Sequence, residues 1–169
     1  NDKKDLAGDY LDVADENVQI LENKKYKLSM IYSYKAAFYG YRIGISKWKA
    51  PFIGPKSESA ANSALKNDPN NWFAYLQMGN IRYYTPKIFG GSKSDALVQY
   101  LKALELLENQ SNLLDKNWNY ISLLTTIAQA YEGIDKFAEA KKFYEKILKI
   151  EPNFTWVKNE LYPNLIKKL

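Results

Sequence analysis

The sequence predicts an all-α fold built from helical hairpins that repeat along the chain. Three observations carry this. Apolar residues recur at spacings of three and four almost throughout the 169 residues. Small residues fall where two such helices would cross, and Pro, Gly, Asn and Asp punctuate the chain at the ends of the periodic stretches.

The stretch Leu124 to Pro152 has the clearest pattern. From Phe137 onward Phe137, Ala140, Tyr144, Ile147 and Leu148 form one face, while Lys136, Glu139, Lys141, Lys142, Glu145, Lys146 and Lys149 fill the other. The spacing predicts a hairpin over about 117–152. Gly133 is expected to end its first helix in a left-handed conformation, and Asp135 to cap the second. Ala128 and Ala140 let the two helices approach closely, and Pro152 cannot continue the second.

The composition bounds the rest. At 169 residues with 46% hydrophobic and 25% charged residues, the chain is long and apolar enough for a packed core. Aromatic residues make up 15%, which serves helix packing first and a recognition surface second. With neither Cys nor His, thiol chemistry, His-based nucleophile systems and the common zinc sites are excluded. No cofactor is expected. No apolar run reaches the roughly 20 residues that span a bilayer. The start at Asn1 rather than Met fits a processed or trimmed product.

The net charge of +5 is unevenly spread: residues 1–22 carry −5 and residues 23–56 carry +8 with no acid, leaving +2 for the remainder. Residues 1–22 form an acidic amphipathic helix with Leu6, Tyr10, Val13, Val18 and Leu21 on its apolar side. Its acids Asp9, Asp12, Asp15 and Glu16 line a face without the oxygen-rich loop and sharp turn that calcium needs, so they are solvated or pair with the basic segment.

Residues 23–169 then hold the hairpins, at about 24–69, 70–109 and 117–152, and a last helix at 153–167. In the first hairpin a helix to about Ser46 leads into a turn, Lys47 to Lys56, and a return helix from about Ser57 that Asp68-Pro69 terminates. In the second, Asn70-Asn71 caps a helix through Tyr83, the segment from Thr85 turns the chain, Ser92 or Ser94 caps the return helix, and Ala96, Tyr100 and Ala103 run along it. After Leu107 the polar stretch Glu108 to Trp118 reads as a loop.

The motifs Leu124-x2-Ile127-Ala128-x2-Tyr131, Ala140-x3-Tyr144 and Pro152, with Tyr75-x2-Met78-Gly79-x2-Arg82 and Ala96-x3-Tyr100-x2-Ala103 before them, resemble the tetratricopeptide (TPR) repeat pattern. The resemblance implies a TPR-like right-handed α-solenoid of about three hairpins, with an N-terminal helix and a C-terminal capping helix, whose first helices line a concave groove for peptides or protein segments. It also implies groove-facing residues: Phe73, Leu76, Asn80, Tyr83 and Tyr84 in the second hairpin, and Ser122, Thr125, Gln129 and Glu132 in the third.

The interval Ala128 to Ala140 is 12 residues, whereas Gly79 to Ala96 and Gly40 to Ser57 are each 17, so the first two hairpins share a five-residue insertion. Both insertions hold Pro, Phe, Gly and Lys. With their P-x-x-F-G-G type of turn the whole is most similar to exported bacterial TPR proteins, which implies a periplasmic or secreted location, with the cytoplasm as the alternative. Trp48, Phe52, Phe89 and Lys93 in these turns either order them or contribute to a working surface.

The expected function is a non-catalytic protein- or peptide-binding scaffold that uses the groove and the long turns. The alternative is binding of an anionic ligand, such as a nucleic acid, lipid head group or polysaccharide, through the basic aromatic segment 23–56. Gly90-Gly91-Ser92-Lys93-Ser94 lacks the spacing of a phosphate loop and supplies a turn and a helix cap, although amides at a helix start can hold an anion. No carboxylate pair carries the pattern of a buried acid beside an exposed base, so an enzyme is not expected.

Overall fold

The computed structural model describes residues 2–110, 114 and 117–169, without the side chains of residues 2–5. Among the described residues there are eight α-helices and no strand: α1 (Asp2–Asn23), α2 (Leu28–Ile45), α3 (Ala50–Asn67), α4 (Trp72–Tyr84), α5 (Lys93–Glu108), α6 (Trp118–Glu132), α7 (Phe137–Ile150) and α8 (Tyr162–Ile166). None of these helices is long and apolar enough to cross a membrane. The chain forms two compact units, Asn1–Ile81 and Arg82–Leu169, and the division falls within α4. The polar stretch after Leu107 lies largely outside the described residues.

In the first unit α1 buries Leu11 and Val18. Its acids meet the basic α2 beside it: Glu22 pairs with Lys35 at 2.6 Å, and Arg42 reaches Asp12 at 2.8 Å and also Asp15. Burial alone would lower the Arg42 pKa, but the hydrogen bonds that it donates to both carboxylates, and their charge, outweigh this and raise it. α1 ends in a Schellman turn, in which the Tyr26 amide donates to the Leu21 carbonyl and the Lys25 amide to that of Glu22. Lys25 and Lys27 hold left-handed φ values of 52° and 42°. That is why α2 begins at Leu28 and not at Lys24.

α2 and α3 approach through Ala36, Ala37, Ala60, Ala61 and Ala64, all buried. Tyr39, Met78 and Ile81 pack against the Ala36, Ala60 and Ala61 cluster. Two hydroxyls fasten the pair: Ser57 donates to the Ala36 carbonyl at 2.9 Å and Ser29 to that of Ala64 at 2.8 Å. Asn71 ties in the start of α4. Its Oδ1 accepts from the amides of Phe73 at 2.9 Å and Ala74 at 3.3 Å, while its Nδ2 donates to Ser29 and Ser33 at 2.7 and 3.1 Å.

One expectation is corrected in this unit. The segment Lys47 to Lys56 is not a long turn: after a short 3₁₀ turn at Lys47–Lys49, α3 starts at Ala50 and runs 18 residues. Pro51 occupies the first turn, where the missing N–H has no helical partner anyway, whereas Pro55 lies inside the helix, which forgoes one amide bond at that position. The two hairpin insertions therefore differ in structure. Trp48 sits on the 3₁₀ turn and Phe52 in the first turn of α3.

In the second unit Ala96, Ala103, Ala128, Ala130 and Ala140 are fully buried, and Tyr100, Leu107, Leu124, Ile127, Tyr144 and Ile147 fill the space around them. A polar arrangement occurs twice. Glu108, at the end of α5, accepts from the Tyr120 hydroxyl and the Lys146 ammonium, each at 2.7 Å. Glu132, at the end of α6, accepts from the Tyr144 hydroxyl at 2.7 Å and from Lys168 at 2.9 Å. A carboxylate at a helix C-terminus opposes the helix dipole, and the lysine drawn in from later in the chain, Lys146 on α7 or Lys168 just past α8, offsets this.

The end of α6 corrects a second expectation. Gly133 is right-handed, with φ −66°, and it is Asp135 that takes the left-handed conformation, with φ 60°. The Lys136 amide donates to the Tyr131 carbonyl across this turn, so Asp135 closes α6 and does not cap α7. Gly133 serves another need: a Cβ there would lie 2.9 Å from Cδ of Lys93. The last helix opens with a π turn, Val157–Leu161, in which the Tyr162 amide reaches back to the Val157 carbonyl. Pro163, which follows, has no amide to donate.

Replacing Asn71 with Ala removes a helix cap and a buried donor to two hydroxyls. It should lower stability by about 2–3 kcal/mol in urea unfolding. Burial alone would raise the Glu108 pKa, but hydrogen bonds from Lys146 and Tyr120 hold it below the usual carboxylate range. Its contribution is therefore present above the unfolded carboxylate pKa, about 4.3, and lost as the pH falls through the lower folded value. Glu108→Gln should cost below about 1 kcal/mol near neutral pH, and the gap to the wild type should close in unfolding curves taken toward pH 3.

Candidate binding surface

The link between α4 and α5 is a built loop, and each residue of Pro86-Lys-Ile-Phe-Gly-Gly91 has a definite part in it. Pro86 is extended, with ψ 145°, and Lys87–Phe89 form one 3₁₀ turn. The amides of Phe89 and Gly91 both donate to the Pro86 carbonyl, at 2.9 and 3.2 Å, and that of Gly90 to Lys87 at 3.0 Å. Gly90 has φ 87°, a conformation that favours glycine. Gly91 lies against the backbone, where a Cβ would fall 1.7 Å from the Thr85 carbonyl oxygen. The Ser92 amide then donates to Arg82 at 2.9 Å, and the Ser92 hydroxyl caps α5 by accepting from the Asp95 amide at 3.1 Å.

This closure turns large apolar side chains outward. Tyr84, Ile88 and Phe89 are 77%, 85% and 72% exposed. Tyr83 is half-buried, edge-on to Tyr84 at 5.0 Å and tilted against Tyr100 at 6.4 Å. Lys93 stands over the Tyr83 ring at 5.8 Å. Burial, and then the neighbouring Tyr84 and Glu132, push the Tyr83 pKa up, so its ring carries a neutral phenol. Beside the loop Lys87, Gly91, Ser92, Lys93, Ser94, Gly133 and Ile134 line an open cavity of about 300 Å³. The space left by Gly133 is where the Lys93 stem lies.

The other candidate residues are distributed over both units. In the first, Phe73 is half-buried and meets Tyr34 edge-on at 5.1 Å, Leu76 is half-buried, and Asn80 donates to Gln77 at 3.4 Å. Trp48 and Phe52 are exposed, with Lys49 over the Trp48 ring at 5.5 Å. In the second, Gln129 is half-buried and Ser122 exposed. Thr125 corrects the expectation of a groove-facing residue: it is buried and donates to the Ile121 carbonyl at 2.8 Å. Ile88 is not singled out by the sequence, since its 3₁₀ turn resembles any short apolar pair in a loop.

The basic segment 23–56 is partly neutralised within the first unit. Lys35 and Arg42 are taken up by acids of α1. Lys24, Lys25, Lys27, Lys47, Lys49 and Lys56 remain exposed.

No family model matches the chain, and no curated protein matches its sequence. Its structure is similar to the crystal structure of a thermophilic TPR protein from Thermus thermophilus, with a TM-score of 0.69 and 18% identity, over 96% of this chain and 76% of that one. At that identity the likeness speaks for the fold. Helical hairpins closed on buried alanines, together with this match, show that the chain has a tetratricopeptide-type fold.

Proposed function

We propose that the chain is a non-catalytic protein- or peptide-binding scaffold, and that the Tyr84, Ile88 and Phe89 surface takes a peptide segment with apolar side chains next to acidic ones. The observation that carries this is the outward display of three large apolar side chains on a loop held by its own hydrogen bonds. Apolar groups presented on an ordered loop lose little entropy on binding. Lys87 and Lys93 at the neighbouring cavity favour acidic side chains in the same segment.

Gln129 in the same unit is a further candidate contact, Phe73, Leu76 and Asn80 are candidates of the first unit taken by itself, and the P-x-x-F-G-G turn supports an exported bacterial setting. The non-catalytic part rests on the acids of α1, where Asp12 and Asp15 serve Arg42 as ion-pair partners. These pairs and that of Lys35 with Glu22 weigh against the anionic-ligand reading, because together they occupy two of the eight cations of residues 23–56.

Selection of displayed peptides on the immobilised chain should enrich sequences that combine apolar and acidic residues. Changing Tyr84 and Phe89 together to Ala should weaken their binding about tenfold or more while leaving the thermal midpoint nearly unchanged. Equal binding by the double variant would sink this surface. Gly91→Ala, which drives a Cβ into the Thr85 carbonyl, should disorder the loop and weaken the same peptides, as read by titration calorimetry. Gly90→Ala, strained only through its positive φ, should cost about 1 kcal/mol of stability and affect binding less.

A further inference from the structure

The outer face of α1 carries a second apolar surface, in the other unit. Leu6, Tyr10, Val13 and Ile20 are each more than half exposed, while Leu11 and Val18 on the opposite side are buried. With Asn17 the outer residues follow steps of four, three, four and three, the seam spacing of a helix that packs along another helix. The ion pairs from Arg42 and Lys35 hold the opposite side of α1 against the first unit, so the seam faces away from it.

The charge beside this seam is one-sided. Asp9 and Glu16, both exposed, flank one edge, whereas Ala7, Ala14 and Leu21 flank the other. We infer that this face docks an amphipathic helix of a partner protein, one with an apolar seam bordered by Lys or Arg. A second copy of the chain fits poorly. Parallel pairing sets Asp9 and Glu16 opposite Ala14 and Leu21, antiparallel pairing sets the acids opposite each other, and both leave them without a cation. Asn17 is the one polar residue of the seam, and its side-chain amide donates to the Val13 carbonyl of its own helix at 2.9 Å.

The test uses three synthetic helical peptides of about three heptads with the full chain. The first has Leu at a and d with Lys at e and g, the second has Glu in place of Lys, and the third keeps the Lys count with a scrambled seam. Fluorescence anisotropy should show the Lys-flanked peptide binding at least about tenfold tighter than the other two. Val13→Asp, on an exposed position, should abolish that binding with an unchanged circular dichroism spectrum. Asp9→Lys with Glu16→Lys should invert the preference toward the Glu-flanked peptide. Equal binding of the Lys-flanked and scrambled peptides would overturn the inference, as would indifference to either variant. So would sedimentation showing that the wild type self-associates through this face and that Val13→Asp makes it monomeric.

Discussion

The constraint on which the fold depends is the closeness of its helices. Ala61, Ala64 and Ala74 in the first unit, and Ala96, Ala128, Ala130 and Ala140 in the second, have no exposed surface. A methyl group at each crossing lets backbones approach until the longer side chains on either side interlock. In the second unit a larger residue at one of these positions would push two helices apart and open the contacts of Tyr100, Leu124, Ile127 or Tyr144, so the small residues set the geometry and the large ones fill it.

Polar groups then hold what close packing alone leaves free. Asn71 caps α4 and reaches two serines of α2. Glu108 and Glu132 each collect a tyrosine from the next helix and a lysine from later in the chain. These are bonds between groups far apart in sequence, and they orient helix ends, where loops begin. The loop from Pro86 to Gly91 inherits that order. With its backbone bonds satisfied internally, its side chains are free to face outward, which is how Ile88 and Phe89 come to be displayed and not buried.

Charge is arranged by the same logic. The acidic α1 and basic α2 meet through Asp12, Asp15 and Glu22, and this leaves Asp9 and Glu16 beside the outer apolar seam. The basic segment is in part a packing surface for α1. Its formal charge in sequence overstates the field it presents to a ligand.

Sequence alone determined the helices and their sidedness, because a period of three to four residues and a buried alanine at each crossing are local facts. The caps at Asn71 and Ser92 were legible for the same reason: the oxygen of a short polar side chain just before an apolar run is next to the free amides of its own helix. Tertiary structure decided the rest. Gly133 read as a left-handed turn, but it yields space to Lys93, and Asp135 takes the turn instead. The prolines of residues 51 and 55 read as a turn and lie within α3: Pro51 is in the first helical turn, which asks for no amide, and Pro55 inside the helix, which gives up one amide bond there. Which aromatics face water was decided by loop closure at Gly91, a contact with Thr85 that spacing does not encode.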